Sequence, residues 1–409
     1  MNRCYINSCP LSCSIVPPME QPRKYSQQSL LPFLKQDLIK VLWSGELLDL
    51  ASPYSQILQD VVHRVDKAFQ RYITGDCNGK RSGKPRFKGE SRYRSFTYPQ
   101  ANRSWLEGNY INIPKIGKIL VRWHRPLPDG FSVKTCQLIE KADGWYINLA
   151  IEDKSVPKFN PEEILPTEDN STGIDMGLEK FLTTSEGEMV PIYQPLRKNQ
   201  GKLTKISQRK NKKKRGSTAR RKLANQESKL YQEIARNRKD NHFNVAIDLV
   251  SGSSKVFIVE ELNLQGMTRR NKPKQDEKGN YLPNGQAAKS GLNKSFADAG
   301  VGQVLSILTY KAENAGKRVV KVKPDYTSQI CACCDNYVPK ELTVRTHECG
   351  CGFVIDRDWN AALNIKRVGL GVFPTIKRCK GNPGIKIKSV PNSTLKEILE
   401  LTRSLRHTI

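Results

Sequence analysis

Between Tyr54 and Ile73 the apolar residues are Ile57, Leu58, Val61, Val62, Val65, Ala68, Phe69 and Tyr72. Steps of three and four put them on one face, so this stretch predicts an amphipathic helix. The same periodicity begins near Leu30, and a helical region is expected over residues 30–100, after an irregular opening, 1–29, that mixes Pro, Ser and Cys without a period. From Asn109 to Asp153 the runs become short and alternating. Ile111-Asn-Ile-Pro, Ile119-Leu-Val-Arg-Trp-His and Trp145-Tyr-Ile-Asn-Leu-Ala-Ile read as strands, with Asp143-Gly144 as a hairpin turn. They predict a small antiparallel barrel or sheet within 101–160, and the Pro- and Glu-rich residues 154–170 read as a linker.

The second half opens with a strand reaching Asp175, followed by Phe181–Thr184 and Met189–Tyr193, an antiparallel meander. Leu223, Leu230 and Ile234 then form one narrow apolar stripe among Lys, Arg and Gln. That pattern predicts a helical hairpin over 197–239 turning near Gly216-Ser217, with helix continuing through Val245–Val250 to a strand at Val256–Val259. Residues 268–291 are polar, contain Pro and Gly, and read as a mobile insertion. A helix from about Asp298 to Ala315 and a strand Val319–Val322 complete the alternation expected of an α/β domain with a mixed sheet over 171–326. Residues 371–409 are basic and read as a mostly disordered tail, with one helix expected from Thr394 to Leu405. The chain as a whole is multidomain α+β.

Composition changes this picture mainly through charge. Of 409 residues 37% are hydrophobic, enough for ordinary cores, while 68 Lys and Arg against 40 Asp and Glu give a formal net charge of +28. A polyanionic partner is implied, nucleic acid first. From Arg197 to Lys239 there are 17 Lys or Arg against Glu227 and Glu233, so over half of the excess lies in about a tenth of the chain. Arg209, Lys210, Lys212, Lys213, Lys214, Arg215, Arg220, Arg221 and Lys222 are the candidate nucleic-acid contacts. Phe87, Tyr93 and Phe96, set among Lys and Arg between Gly79 and Phe96, fit either base stacking or a solvated loop with aromatics turned inward. No apolar stretch approaches the ~20 residues that span a bilayer, and the N-terminus lacks a signal-peptide pattern. A soluble, intracellular protein with no membrane partner is expected.

Eleven cysteines are too few and too clustered for a secreted disulfide scaffold. Cys331-Ala-Cys-Cys334 is followed by Cys349-Gly-Cys351 and Gly352, the form of a zinc ribbon over 327–352. Cys331, Cys334, Cys349 and Cys351 are the expected ligands, with Cys333 or His347 as alternatives at one corner, because the second knuckle has one intervening residue where two are commoner. Cys4, Cys9 and Cys13 form a looser group with no ordered fold evident around it. Three acids close or follow strand-like runs: Thr172-Gly-Ile-Asp175, Val256-Phe-Ile-Val-Glu260 and Asp356-Arg-Asp358. Phosphodiester hydrolysis with two divalent ions needs hard oxygen ligands from separate segments, and carboxylates at neighbouring strand ends suit it. Glu260 alone would be an ordinary surface acid; the set is the signal.

These strings, in this order, resemble the TnpB family of transposon-encoded RNA-guided nucleases, also called OrfB-type transposases, which are related to the type V CRISPR effectors. The resemblance rests on Gly173-Ile-Asp175-Met-Gly, Val259-Glu260-Glu-Leu-Asn, Thr327-Ser-Gln-Ile-Cys331-Ala-Cys-Cys334 and Cys351-Gly-Phe-Val-Ile-Asp356-Arg-Asp358-Trp-Asn-Ala-Ala-Leu-Asn364-Ile, with Ser295-Phe-Ala-Asp-Ala-Gly and Arg94-Ser-Phe-Thr-Tyr-Pro-Gln100 in support. It covers roughly residues 50–368.

It implies an RNase H-like, RuvC-type nuclease domain with an inserted zinc ribbon, a last RuvC motif at 353–370, a wedge-like barrel at 101–160 and a recognition-lobe-like helical region before it. Asp175, Glu260 and Asp358 become the Mg²⁺- or Mn²⁺-binding catalytic triad, with Asp356 and Glu261 as weaker stand-ins, beside a structural Zn²⁺. The implied partners are a guide RNA from the transposon end and a double-stranded DNA target, read by base pairing while protein charge holds the backbone. A monomer bound to RNA, in a prokaryotic cytoplasm and associated with the nucleoid, is expected.

One departure is that residues 1–29 lack the family's opening strand of the form Lys-x-x-x-Arg-Leu-Tyr-Pro, which on this reading marks a truncated, misassigned or divergent start. The alternative functions are a non-cleaving RNA-guided binder, a transposition regulator or an inactive truncated copy. The intact triad favours the nuclease over these.

Overall fold

The computed structural model describes residues 24–374, apart from 42–44, 77–78, 87, 89–91, 154–158, 324 and 342. The expectations for 1–23, including Cys4, Cys9 and Cys13, for Phe87 and for 375–409 lie outside the described residues. The chain divides into two compact units, 1–157 and 158–409. No helix among the described residues is long and apolar enough to cross a membrane.

The first unit begins with α1 (Lys24–Leu34), a short hairpin of β1 (Ile39–Lys40) and β2 (Leu47–Leu48), and α2 (Ser55–Ile73). The periodic face of α2 meets α1 through Leu31, Leu58 and Val62. Strands β3 (Ser95–Tyr98), β4 (Leu106–Glu107), β5 (Tyr110–Ile113), β6 (Gly117–Leu120), β7 (Ser132–Lys141) and β8 (Gly144–Glu152) then build two three-stranded antiparallel sheets, in the orders β3-β7-β8 and β4-β5-β6. They share one core of Tyr98, Ile111, Ile113, Cys136 and Leu138. Strand β3 lies inside the stretch expected to be helical. Its four residues are too short to show a period, and its place is fixed by long-range pairing of Ser95 with Ile139 and Tyr98 with Cys136. Arg64 of α2 secures it by donating to the Ser95 carbonyl (3.1 Å) and to Thr97 Oγ1 (2.6 Å).

The second unit is built on a five-stranded sheet. Its strands are β9 (Ser171–Asp175), β10 (Lys180–Thr184), β11 (Met189–Pro191), β12 (Val256–Glu260) and, further along, Arg318–Val322. Between β11 and β12 run a short turn of helix, α3 (Pro195–Lys198), and the basic hairpin of α4 (Gln200–Asn211) and α5 (Thr218–Ser251). The hairpin turns where the sequence places it, at Gly216 (φ +84°) and Ser217, whose hydroxyl caps α5 at the Arg220 N–H. After β12 come α6 (Leu264–Thr268), a hairpin of β13 (Lys274–Gln275) and β14 (Tyr281–Leu282), α7 (Gln286–Ala299) and α8 (Val301–Asn314).

Two expectations are corrected here. Residues 268–291, read as a mobile insertion, carry regular structure that the sequence pattern does not show: Asp276 closes the β13–β14 turn by accepting from the Lys278 and Asn280 N–H groups, and α7 begins at Gln286. The single helix expected at Asp298–Ala315 is two helices, broken at Gly300 (φ +65°). There His242 Nε2 lies 2.9 Å from the Ala299 carbonyl, and a Cβ on Gly300 would sit 2.8 Å from the His242 ring. One glycine in a helical pattern does not announce such a break, because the contact that demands it comes from 57 residues away.

The strand Arg318–Val322 is β15; β16 (Thr346–Glu348), β17 (Val354–Asp356) and the final helix α9 (Arg357–Gly369) follow. Sheet order is β11-β10-β9-β12-β15, with β9, β10 and β11 antiparallel and β12 parallel to both β9 and β15. This is an RNase H-like arrangement. Strand β12 is apolar at four successive positions because both its faces are covered. Phe257 and Val259, with Ile174, pack against α5 and α8 through Val245, Val304 and Leu308. Val256 and Ile258 pack on the opposite face with Ile365 of α9. Alternation along the strands therefore puts Gly173, Asp175 and Glu260 on the α9 side.

Helix α9 lies flush against the sheet at two glycines. A Cβ on Gly173 would stand 2.2 Å from the Ala362 carbonyl oxygen and 2.7 Å from the Lys366 nitrogen, so helix backbone meets strand backbone with no room for a side chain. At Gly369 the corresponding clash is with Ile258 Cδ1, at 2.5 Å, a side chain that can move. Gly173→Ala should therefore destabilise the unit by at least ~3 kcal/mol and Gly369→Ala by roughly 1–2 kcal/mol, the range for overpacking a core. Denaturant unfolding checks this, and equal costs at the two positions would contradict the rigid backbone contact.

Candidate metal centres and nucleic-acid interface

Two sites are built on and beside α9. In the first, the Sγ atoms of Cys331, Cys334, Cys349 and Cys351 all lie within 4.8 Å of one another. Cys331 to Cys351 is 3.8 Å and Cys334 to Cys349 is 3.4 Å. Zinc–sulfur bonds of ~2.3 Å in a tetrahedron put sulfurs ~3.8 Å apart, so the four thiols fit a Zn²⁺ ion. Burial pushes the Cys331 thiol up to about 11 and raises Cys334 as well, so buried thiolates here call for a cation. The single residue between Cys349 and Cys351 is accommodated by Gly352 (φ +83°), whose N–H returns to the Cys349 carbonyl (2.9 Å) while the Cys349 N–H reaches Phe353 (3.0 Å). Neither alternative ligand joins the group: Cys333 stands outside it, and the buried His347 ring faces the Lys340 ammonium through Nδ1.

The second site is a cleft of about 320 Å³ lined by Asp175, Glu260 and Asp358, with Thr327, Lys340, Glu341 and Arg357 among its other walls. Asp175 and Glu260 end neighbouring parallel strands, whose register pairs Ile174 with Val259 just before them. Asp358 lies in the first turn of α9, where Arg357 Nη2 approaches its Oδ1 at 3.2 Å. Burial, then the charges of Glu260 and Asp358, hold the Asp175 carboxyl well above the usual carboxylate range. Glu260 is also raised by burial, against a lowering hydrogen bond from Thr327. Three carboxylates line one cleft, and the charges of two of them raise the third, so the donor type suits a hard divalent cation such as Mg²⁺ or Mn²⁺.

The two stand-in acids are placed elsewhere. Asp356 caps α9, its Oδ1 accepting from the Asp358 N–H (3.0 Å) and the Trp359 N–H (3.3 Å), while its Oδ2 takes the Lys180 ammonium (2.5 Å). Glu261 is exposed and follows Glu260 onto the other side of the strand.

The basic hairpin sorts its candidates into two groups. Lys210 turns inward to Glu227, and Arg220 Nη1 donates to the carbonyls of Lys210 (2.9 Å) and Lys213 (3.2 Å), so these two hold the turn together. Arg209, Lys212, Lys213, Lys214, Arg215, Arg221 and Lys222 are exposed and free to face a polyanion. Composition alone could not separate them, because the inward cations look like the rest.

Sequence reasoning missed Asn360 and Asn364, buried on α9 four residues apart. Asn360 Nδ2 donates to the Ile330 carbonyl (2.8 Å) and its Oδ1 accepts from the Ala332 N–H (3.0 Å), while Asn364 Nδ2 donates to the carbonyls of Thr327 (2.8 Å) and Ile330 (2.7 Å). Two asparagines four residues apart, interleaved with Ala361, Ala362 and Ile365 on the buried side of the helix, are the signal that could have found them.

The Asp175 shift has a consequence for stability. The unfolded chain ionises Asp175 near pH ~4, whereas the folded chain keeps the proton to higher pH, so the metal-free fold loses stability as pH rises above ~4. Asp175→Asn should raise the unfolding temperature of protein stripped of Mg²⁺ at pH 7.5, with the gain shrinking to nothing near pH 4. Unfolding temperatures that coincide across the whole range would contradict the crowding of charge in the cleft.

Comparison with known proteins agrees with the order of these motifs. Residues 302–365 match the family model "Cas12f1-like, TNB domain" and residues 154–271 match OrfB_IS605, described as "Probable transposase". A Streptomyces pristinaespiralis protein named "Putative RNA-guided DNA endonuclease" is 27% identical over 352 residues, 85% of this chain and 80% of that protein. The Escherichia coli K12 protein named "Putative RNA-guided DNA endonuclease InsQ" is 28% identical over 347 residues, 84% of this chain and 82% of its own length. A solved Cas12f1–sgRNA–target DNA complex aligns with 76% of this chain and 79% of its own, at 17% identity and a TM-score of 0.32. With two family models matched in order and relatives aligned along more than four fifths of its length at 27–28% identity, the chain is similar to the TnpB-type RNA-guided endonucleases.

Proposed function

We propose that the protein is an RNA-guided DNA endonuclease that hydrolyses phosphodiester bonds in duplex DNA at the Asp175–Glu260–Asp358 cleft, directed by a guide RNA from a transposon end. The observation that carries this is the convergence of three carboxylates, from two strand ends and a helix, in one cleft. The names carried by the relatives from Streptomyces pristinaespiralis and Escherichia coli support it. Asp175, Glu260 and Asp358 would hold divalent metal, which when bound supplies Lewis-acid activation of water and neutralises the charge developing on phosphate. Lys340 and Arg357, on the same walls, add positive charge for the phosphodiester backbone. The exposed part of the basic hairpin binds the guide or its heteroduplex through phosphate contacts, while base pairing supplies sequence specificity. Zinc on the four cysteines holds the ribbon folded beside the cleft and takes no part in the chemistry.

Asp175→Ala or Glu260→Ala should lower target cleavage by at least ~10²-fold, as loss of a transition-state interaction does, with guide and target binding in gel shifts unchanged. Cutting at wild-type rate by both variants with cognate guide would overturn the assignment. Reversing charge at Lys212, Lys213 and Lys214 should weaken RNA binding and make the plot of log affinity against log salt shallower by about 3, one unit per lost phosphate contact. An unchanged slope would reduce the hairpin to a solvated face.

A further inference from the structure

The segment before the first cysteine knuckle lines the cleft with Thr327, Ser328 and Gln329, of which Thr327 is buried. Thr327 Oγ1 donates to Glu260 Oε1 at 3.0 Å, and Thr327 is itself buried. Its carbonyl is held in turn, since Asn364 Nδ2 donates to it at 2.8 Å while also donating to Ile330 at 2.7 Å. Asn364 is fixed by Arg367, whose Nη1 donates to Asn364 Oδ1 (3.1 Å) and whose Nη2 meets Asp335 Oδ1 at 2.6 Å, just past Cys334. A continuous chain of hydrogen bonds thus runs from the cysteine knuckle through α9 to one oxygen of Glu260. The backbone adds an independent sign of constraint. Tyr326, immediately before Thr327, has φ +64°, a conformation that a bulky residue holds only where its surroundings impose it.

We infer that Thr327 is a positioning residue for metal binding: anchored by Asn364, its hydroxyl fixes the orientation in which the Glu260 carboxylate enters the cleft. A free glutamate side chain loses rotamer entropy on being ordered, and a fixed hydroxyl meets that cost before the ion arrives. Donors to a ligating carboxylate commonly change metal affinity by ~10–100-fold when removed. The arrangement also gives the zinc ribbon a route to the cleft that needs no movement of the ribbon over it: the knuckle that holds Cys331 and Cys334 shares its anchoring helix with Asp358. This inference rests on the reading of the acidic cleft as a divalent-metal site.

Thr327→Val keeps the side-chain shape and removes only the donor, so it is the direct variant. Mn²⁺ binding to the full-length, zinc-loaded protein without nucleic acid, followed by loss of the free-Mn²⁺ electron paramagnetic resonance signal, reads the effect without turnover. Affinity should fall ~10–100-fold for Thr327→Val, stay within a few-fold of wild type for Thr327→Ser, and vanish for Glu260→Ala, with zinc content unchanged in all three. Should Thr327→Val lose zinc, Thr327→Ala carries the same test without placing a methyl group where the hydroxyl stood. Wild-type affinity in the variant that lacks the hydroxyl, alongside lost binding in Glu260→Ala, would overturn the inference alone. Wild-type affinity in Glu260→Ala as well would overturn the metal reading and the inference with it.

Discussion

The second unit depends on the backbone contact between α9 and β9 at Gly173. Among the described glycines, only there does a helix approach the sheet closely enough for its carbonyl oxygen to occupy the space of a missing Cβ. That contact sets the depth of α9, and depth decides whether Asp358 in its first turn reaches the ends of β9 and β12, where Asp175 and Glu260 emerge. The rest of the helix reinforces the same position. Trp359 Nε1 donates to the Ser185 carbonyl (3.0 Å), Asp356 caps the N-terminus while gripping Lys180, and Gly369 lets the last turn settle on Ile258. Packing and chemistry are therefore one constraint: a helix lifted by one methyl group would carry its carboxylate away from the other two.

Crowding three acids in a buried cleft costs stability unless a cation compensates, and the four thiols of the ribbon pose the same problem with softer ligands. The unit has two centres of unfavourable charge, each matched to a different metal by donor type: carboxylate oxygens for a hard ion, thiolates for zinc. They are coupled mechanically through α9, which carries Asp358 on its first turn and holds the Cys331–Cys334 knuckle with Asn360 and Asn364. The ribbon is thus a fixed wall of the cleft, contributing Thr327, Lys340 and Glu341 to its lining.

Much of this was legible in the sequence wherever local pattern and tertiary role coincide. Strand β12 reads as an apolar run ending in Glu260 because both faces are covered, and the α4–α5 turn reads from Gly216-Ser217 because a left-handed position and a cap are local requirements. The cysteine spacing named its own ligands once Gly352 explained the short second knuckle. What stayed hidden was decided at long range. Strand β3 exists because β7 pairs with it, Gly300 breaks a helix because His242 stands against it, and Lys210 and Arg220 turn inward because Glu227 and two carbonyls receive them. Gly173 was visible as part of a motif, yet its reason, the Ala362 carbonyl, lies 189 residues away. Asn360 and Asn364 were quoted in a matching string without a role, since their partners are backbone groups that sequence does not distinguish.

The central claim is that α9 and the two strand ends bring Asp175, Glu260 and Asp358 around bound divalent metal. Anomalous scattering from crystals of the guide-loaded, target-bound protein soaked with Mn²⁺ tests it most directly. The account predicts Mn²⁺ density in contact with carboxylate oxygens of all three residues, separate from zinc on the four cysteines. Mn²⁺ bound elsewhere, or density touching only one of the three acids while the fold is intact, would contradict it.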